Sequence, residues 1–187
     1  MSDFLRLMVV FFAAINPAAV AMSMVHAGGD GERRANWRVA AIGGVTAVVM
    51  YALACWVAPH LLDWLQIAPE SFRVAAGIVM ATMGVEAIWF GAITTDGDDV
   101  GIQAAVFPLG VPLIAGPAGL MAAVSYGDDQ GFGRAFGAAA VIVAVVVALL
   151  FARPERGRPA LGGMARVTGA LLVAVAAGLI VSGVREI

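Results

Sequence analysis

The chain has 187 residues, 61% of them hydrophobic and 13% charged, with 11 basic and 13 acidic side chains for a formal charge of −2. Its mean hydropathy of +0.93 lies outside the range of soluble domains, and no basic face for nucleic acid is present. The composition is that of an integral membrane protein.

Apolar stretches of roughly 20 residues, enough to cross a bilayer, are predicted at about 4–25, 38–59, 72–91, 103–126, 134–152 and 166–184. They use nearly the whole chain, so the expectation is an all-α membrane protein whose single transmembrane domain covers 1–187. The apolar residues after Arg6 imitate a secretory signal. The stretch is longer than a signal core, however, Asp3 offsets Arg6, and more arginines follow the span than precede it.

The first span carries Asn16-Pro17 in its middle. Proline removes a backbone donor and clashes with the carbonyl four residues back, so the helix is predicted to break there. Asn16 then caps a new helix in which Pro17 is the first residue. The second span holds the lone Cys55, which excludes an intrachain disulfide or CxxC pair and reads as a small buried apolar side chain. His26 and His60 fall at span ends and read as interfacial.

The third span opens with Arg73-Val74-Ala75-Ala76-Gly77 and contains Glu86, whose place near the span end favours an interfacial role over a proton relay. Asp96, Asp98 and Asp99 in the next loop read as a solvated connector, with a divalent-metal site as the other option. The fourth span carries the second break, Gly116-Pro117. The run Val141 to Val147 in the fifth span has no polar side chain and is predicted to face lipid. In the third and sixth spans, Gly77 with Ala81 and Ala174 with Gly178 and Ser182 mark small-residue faces predicted to pack closely on neighbouring helices.

The chain has no lysine, so orientation rests on arginine: loops one, three and five hold seven and the opposite side holds four. The positive-inside rule places both termini outside the cytoplasm. Six spans divide into two halves of three, about 1–95 and 100–187, and an odd number inverts the second half. Pro17 and Pro117 occupy matching places, and Arg73 to Gly77 matches Arg166-Val167-Thr168-Gly169-Ala170.

Both breaks lie near the midplane, roughly 18 to 20 Å into a core of ~30 Å. Discontinuous helices at corresponding positions of two halves point to a transporter's binding site. Each new helix start carries unpaired N–H groups and about half a positive charge. The candidate substrate site is therefore Asn16, Pro17, Ala18, Ala19, Gly116, Pro117, Ala118 and Gly119, with Ala21, Ala122 and Ala123 beside it and Ser23, Thr46, Thr82, Ser125 and Thr168 as the nearest hydroxyls. No deep Arg or Lys is available for a diacid. A small zwitterion or monoanion fits, its carboxylate on backbone N–H groups and its ammonium on freed carbonyls.

Asn16-Pro17 and the stretch Pro108-Leu109-Gly110-Val111-Pro112-Leu113-Ile114-Ala115-Gly116-Pro117 resemble the MarC family of small integral membrane proteins, as do Glu32-Arg33 and the closing Gly183 to Ile187. The resemblance implies a six-span inverted repeat in the inner (cell) membrane and transport of small neutral amino acids such as glycine and alanine. Ala18-Ala19 and Ala118-Gly119-Leu120 stand where relatives often have Gly, Ser or Thr, and Gly178 stands for a common glutamine, so the site is less polar than the family's.

The expected function is thus secondary transport of a small neutral amino acid by alternating access, without cofactor, resident metal or nucleic-acid partner. Sodium coupling, proton coupling and uncoupled exchange stay open, as does the oligomeric state. A membrane scaffold binding a partner or lipid, and a small-solute or ion channel, are the alternatives; an intramembrane enzyme ranks last for want of a catalytic pair.

Overall fold

The computed structural model describes residues 3–27, 33–91, 111, 113–152 and 158–187. These residues form helices α1 (Asp3–Ile15), α2 (Pro17–Ala27), α3 (Arg33–Leu65), α4 (Pro69–Phe90), α5 (Pro117–Gln130), α6 (Phe132–Ala152) and α7 (Arg158–Glu186), with no strand among them. Among the described residues five segments are long and apolar enough to cross a membrane: Asp3–Met22, Arg38–Leu65, Pro69–Phe90, Phe132–Phe151 and Ala160–Glu186. They correspond to predicted spans one, two, three, five and six. Of the fourth span, 103–110 and Pro112 lie outside the described residues, as do Glu32 and the acidic Asp96, Asp98 and Asp99.

The second and sixth spans are longer than hydropathy indicated. Helix α3 runs through Pro59 to Leu65. The Cys55 carbonyl, deprived of the N–H that Pro59 lacks, faces the Gly127 backbone, where an added Cβ would lie 3.0 Å from it. The helix ends in a Schellman turn: Gln66 adopts φ +52°, its N–H donates to the Asp63 carbonyl at 3.1 Å, and the Ile67 N–H donates to the Leu62 carbonyl at 3.0 Å. Helix α7 begins at Arg158 because a charged residue ends an apolar window without ending a helix.

Helices α4 and α7 form the most extensive contact, an antiparallel pair whose backbones meet at glycines spaced seven apart. A Cβ on Gly84 would lie 2.9 Å from the Gly169 carbonyl, and one on Gly169 would lie 2.8 Å from the Gly84 carbonyl, a reciprocal contact. Gly77 faces the Ala176 carbonyl, and Gly183 faces that of Glu70. This seam corrects the expected α7 face. Ala174 and Gly178 are exposed, and Gly178 has nothing near its Cβ position. The packed face repeats at seven residues along Gly162, Gly169, Ala176 and Gly183, whereas the expected face followed the four-residue spacing of 174, 178 and 182. Gly77 was placed correctly.

The expectation for the fifth span is also corrected. Val141, Ala144 and Val145 are exposed, but Ile142, Val143 and Val146 are buried against the bundle. Lipid and protein core are equally apolar, so a uniform valine run does not reveal which side packs. Cys55 is buried and free, as expected, and His60 is exposed beside Trp56 at a ring distance of 6.3 Å. Trp64 and Trp89, 81% and 74% exposed, mark the two ends of the α3–α4 hairpin where interfacial aromatics belong.

Replacing Gly169 with valine should lower thermal stability in detergent by ~1 to 3 kcal/mol or more, the cost of overpacking against backbone. Gly178→Ala should stay within about 0.5 kcal/mol of the parent, as at other open sites. Thermal unfolding of the two variants checks the seven-residue seam.

Candidate functional site

At the first interruption the backbone turns at Asn16, which has φ +49°, a region that asparagine tolerates better than most residues. Its N–H donates to the Phe12 carbonyl at 3.1 Å, and its own carbonyl receives the Ala19 and Val20 N–H groups at 3.0 and 3.2 Å. The side-chain Oδ1 accepts from the Ala19 N–H at 3.2 Å, so Asn16 caps α2 with Pro17 at the first helical position, as expected. Its Nδ2 donates to the Ala165 carbonyl of α7 at 3.1 Å in a buried contact. Asn16 is thus both a cap and an interhelical tie.

The second interruption is built differently. Leu113 and Ile114 lie in a π-helical turn, Gly116 is extended at φ −75° and ψ 167°, and α5 starts at Pro117 with no side-chain cap. The Leu120 N–H donates to the Gly116 carbonyl at 2.9 Å. In an unbroken helix the Ile114 carbonyl would receive the Ala118 N–H. Here the Tyr51 hydroxyl of α3 donates to it at 2.9 Å. The N–H groups of Ala118 and Gly119 start the helix without a capping acceptor.

Tyr51 also connects the two places. It is fully buried, stands edge-on to Phe11 of α1 with ring centroids 5.8 Å apart, and lies directly on Gly119, where a Cβ would strike its hydroxyl. The bridge from one interruption to the other therefore runs from Phe11 through Tyr51 to Ile114. Sequence reasoning missed Tyr51. The available signal was a phenol in the middle of the second span, which needs a hydrogen-bond partner wherever it is buried.

The predicted residues gather into two neighbourhoods. Ala18 and Ala21 pack with Leu161 and Ala165 of α7. Ala118, Ala122 and Ala123 join the main core with Phe11 and Tyr51. Asn16 and Pro17 are buried, whereas Gly116 is half-buried and Pro117 exposed. Three of the candidate hydroxyls bond within their own helices: Thr46 to Ile42, Thr82 to Val79 and Thr168 to Met164. Ser125 differs, being buried with no partner among the described residues. The side chains of Ser23 and His26 lie outside the described residues, and Glu86 is exposed.

At the end of the bundle holding the α3–α4 turn, Arg73 of α4 donates to Asp129 of α5 at 2.8 Å and to Glu186 of α7. Beside them Asp128, beyond the predicted fourth span, has its carboxyl pushed above the usual range. Partial burial is the main cause. Asp129, Asp63 and Glu70 act in the same direction, and Arg73 opposes them.

Long apolar helices, close backbone packing between them, and helix starts inside the apolar region define a multi-pass helical membrane protein. The chain belongs to the MarC family of integral membrane proteins, which it matches over residues 1–187. No curated protein and no solved structure matches it.

Tyr51→Phe should cost about 1 to 3 kcal/mol, because the Ile114 carbonyl loses its donor in the core. Gly119→Ala should be more damaging with Tyr51 present than in the Tyr51→Phe background, a coupling of ~0.5 to 3 kcal/mol measurable by a double-mutant cycle of melting curves.

A carboxyl whose proton is held more tightly in the folded chain contributes stability at low pH and loses it as pH rises through the raised value. Asp128→Asn should therefore raise the melting temperature near pH ~7 and change it little near pH ~3.5, where the unfolded carboxyl is also protonated.

Proposed function

We propose that this MarC-family protein is a secondary transporter of small neutral amino acids, working by alternating access in the inner membrane with both termini outside the cytoplasm. The observation that carries the reading is the uncapped start of α5. The Ala118 and Gly119 N–H groups follow Pro117 with no side-chain cap, while the Ile114 carbonyl that the Ala118 N–H would have faced accepts from Tyr51. Unpaired donors at a helix start suit a carboxylate.

On this reading Gly116, Pro117, Ala118 and Gly119 receive the substrate carboxylate. Pro17, Ala18 and Ala19 line the neighbouring wall, and Asn16 fixes the geometry of α2. The lining side chains are methyl groups or hydrogen, which favours glycine- or alanine-sized zwitterions. Spans one and four are then discontinuous helices of an inverted repeat. The antiparallel packing of the third span on the sixth is compatible with such a relation of the halves.

One observation favours the scaffold alternative: the Asn16 amide uses both its ends on protein partners, as a purely structural residue would.

Counterflow of labelled alanine and glycine in liposomes, with and without sodium and across a proton gradient, tests the reading and identifies the coupling ion. Saturable exchange is expected, abolished by Gly116→Leu and reduced by Asn16→Ala. A ligand at 100 times its dissociation constant should also stabilise the fold by ~2.7 kcal/mol. Folded protein with neither exchange nor stabilisation would leave the scaffold. Unsaturable flux would leave the channel.

A further inference from the structure

We propose that Arg73 is a conformational latch, closing one end of the bundle by tying the first three-span half to both the fifth and the seventh helix of the second. Arg73 lies in 1–95, whereas Asp129 and Glu186 lie in 100–187. The guanidinium is only 14% exposed while its partners are 36% and 49% exposed, so it is held between helices with acceptors reaching in from the rim. Asp63, Glu70 and Asp128 add negative charge around it.

Closure is visible directly beneath this layer. Tyr126 and Ser125 are buried, and Gly127 brings the α5 backbone against Cys55 and Ala58 of α3. Gly127 makes a single backbone approach of this kind, whereas α4 and α7 meet at a row of them, Gly77, Gly84, Gly169 and Gly183. Through Arg73 the ion pairs join the end of α5 to α4 and, by the same guanidinium, to the end of α7. Partly exposed ion pairs are individually weak and screened by salt, which suits a contact that forms and breaks repeatedly. The glycine seam between α4 and α7, by contrast, is backbone against backbone and fixes α4 to α7 along its length. The latch therefore governs the approach of α5 and α3.

The inference rests on the alternating-access reading but not on the substrate, and the molecule carries its own reporter. Cys55 is the single cysteine, 1% exposed, and it sits under the latch against Gly127.

The rate at which a membrane-impermeant maleimide labels Cys55 in purified protein reads the opening. Labelling should be slow in the parent and rise about tenfold or more in Arg73→Gln, as the open population grows, with Arg73→Lys between them and Cys55→Ser silent. A monodisperse Arg73→Gln variant with a sharp melting transition that labels at the parental rate would overturn the latch. If Arg73→Gln does not fold, raising salt from about 0.02 M to about 1 M with the parent protein decides instead, because screening weakens the pairs. Faster labelling supports the latch and an unchanged rate overturns it. Fast labelling of Arg73→Gln beside a parent that exchanges no amino acid would keep the latch and discard the transport reading.

Discussion

Inside a bilayer no water is present to receive a freed N–H or C=O, so any interruption of a helix must find new partners for the groups it releases. That constraint organises the centre of this protein. At the first interruption one asparagine meets it almost alone, capping α2 through Oδ1 and tying the turn to α7 through Nδ2. At the second, glycine offers no side chain, and the released carbonyl is met from another helix by the Tyr51 hydroxyl. Gly119 is bare because that ring lies on it, and Phe11 fixes the ring from the other side. The two interruptions are alike in sequence and unlike in chemistry. One is capped and tied by its own side chain, and the other starts its helix with no side-chain cap.

What could be read from the sequence follows the same division between local and distant causes. Asn16 as a cap and Pro17 at the first helical position were legible because capping is decided within four residues. The positions of spans one, two, three, five and six were legible because hydropathy integrates over twenty. Tyr51 was not, since nothing near residue 51 indicates that a carbonyl 63 positions later needs a donor. The packed side of α7 was missed for a different reason. Small residues are frequent all round that helix, so several stripes compete, and only the position of α4 selects the one through Gly169, Ala176 and Gly183. The valine run of α6 carries no polar residue to orient it, and its buried half was invisible for that reason.

The packing also constrains what motion the fold permits. Helices α4 and α7 fall on opposite sides of the proposed division of the chain, yet they are joined through backbone contacts at Gly77, Gly84, Gly169 and Gly183. Separating them would empty a seam that nothing else can fill, and lipid cannot enter a backbone contact without leaving voids. On the proposed alternating-access reading, motion between the halves pivots about this seam. The seam itself is uneven. At the Arg73 end, a Cβ on Gly183 would lie 2.7 Å from the Glu70 carbonyl. At the other end, a Cβ on Gly91 would find the Gly162 carbonyl only at 3.7 Å.

On the proposed transport reading, a pivot of this kind places different requirements on different parts of the chain. The seam must be stiff, and glycine makes it so by allowing backbone contact. The interruption at Gly116 must present unpaired donors, and Tyr51 makes that possible by taking the carbonyl that would otherwise attract them. The end of the bundle must open, and there the protein uses solvent-touching ion pairs, the weakest of its contacts. Were the ion pairs buried as deeply as Asn16, breaking them would strand uncompensated charges in hydrocarbon at several kcal/mol or more each. Asp129 and Glu186 stand at the rim, so breaking the pairs returns both carboxylates to water, and on the proposed reading the centre of the molecule is left to hold the ligand.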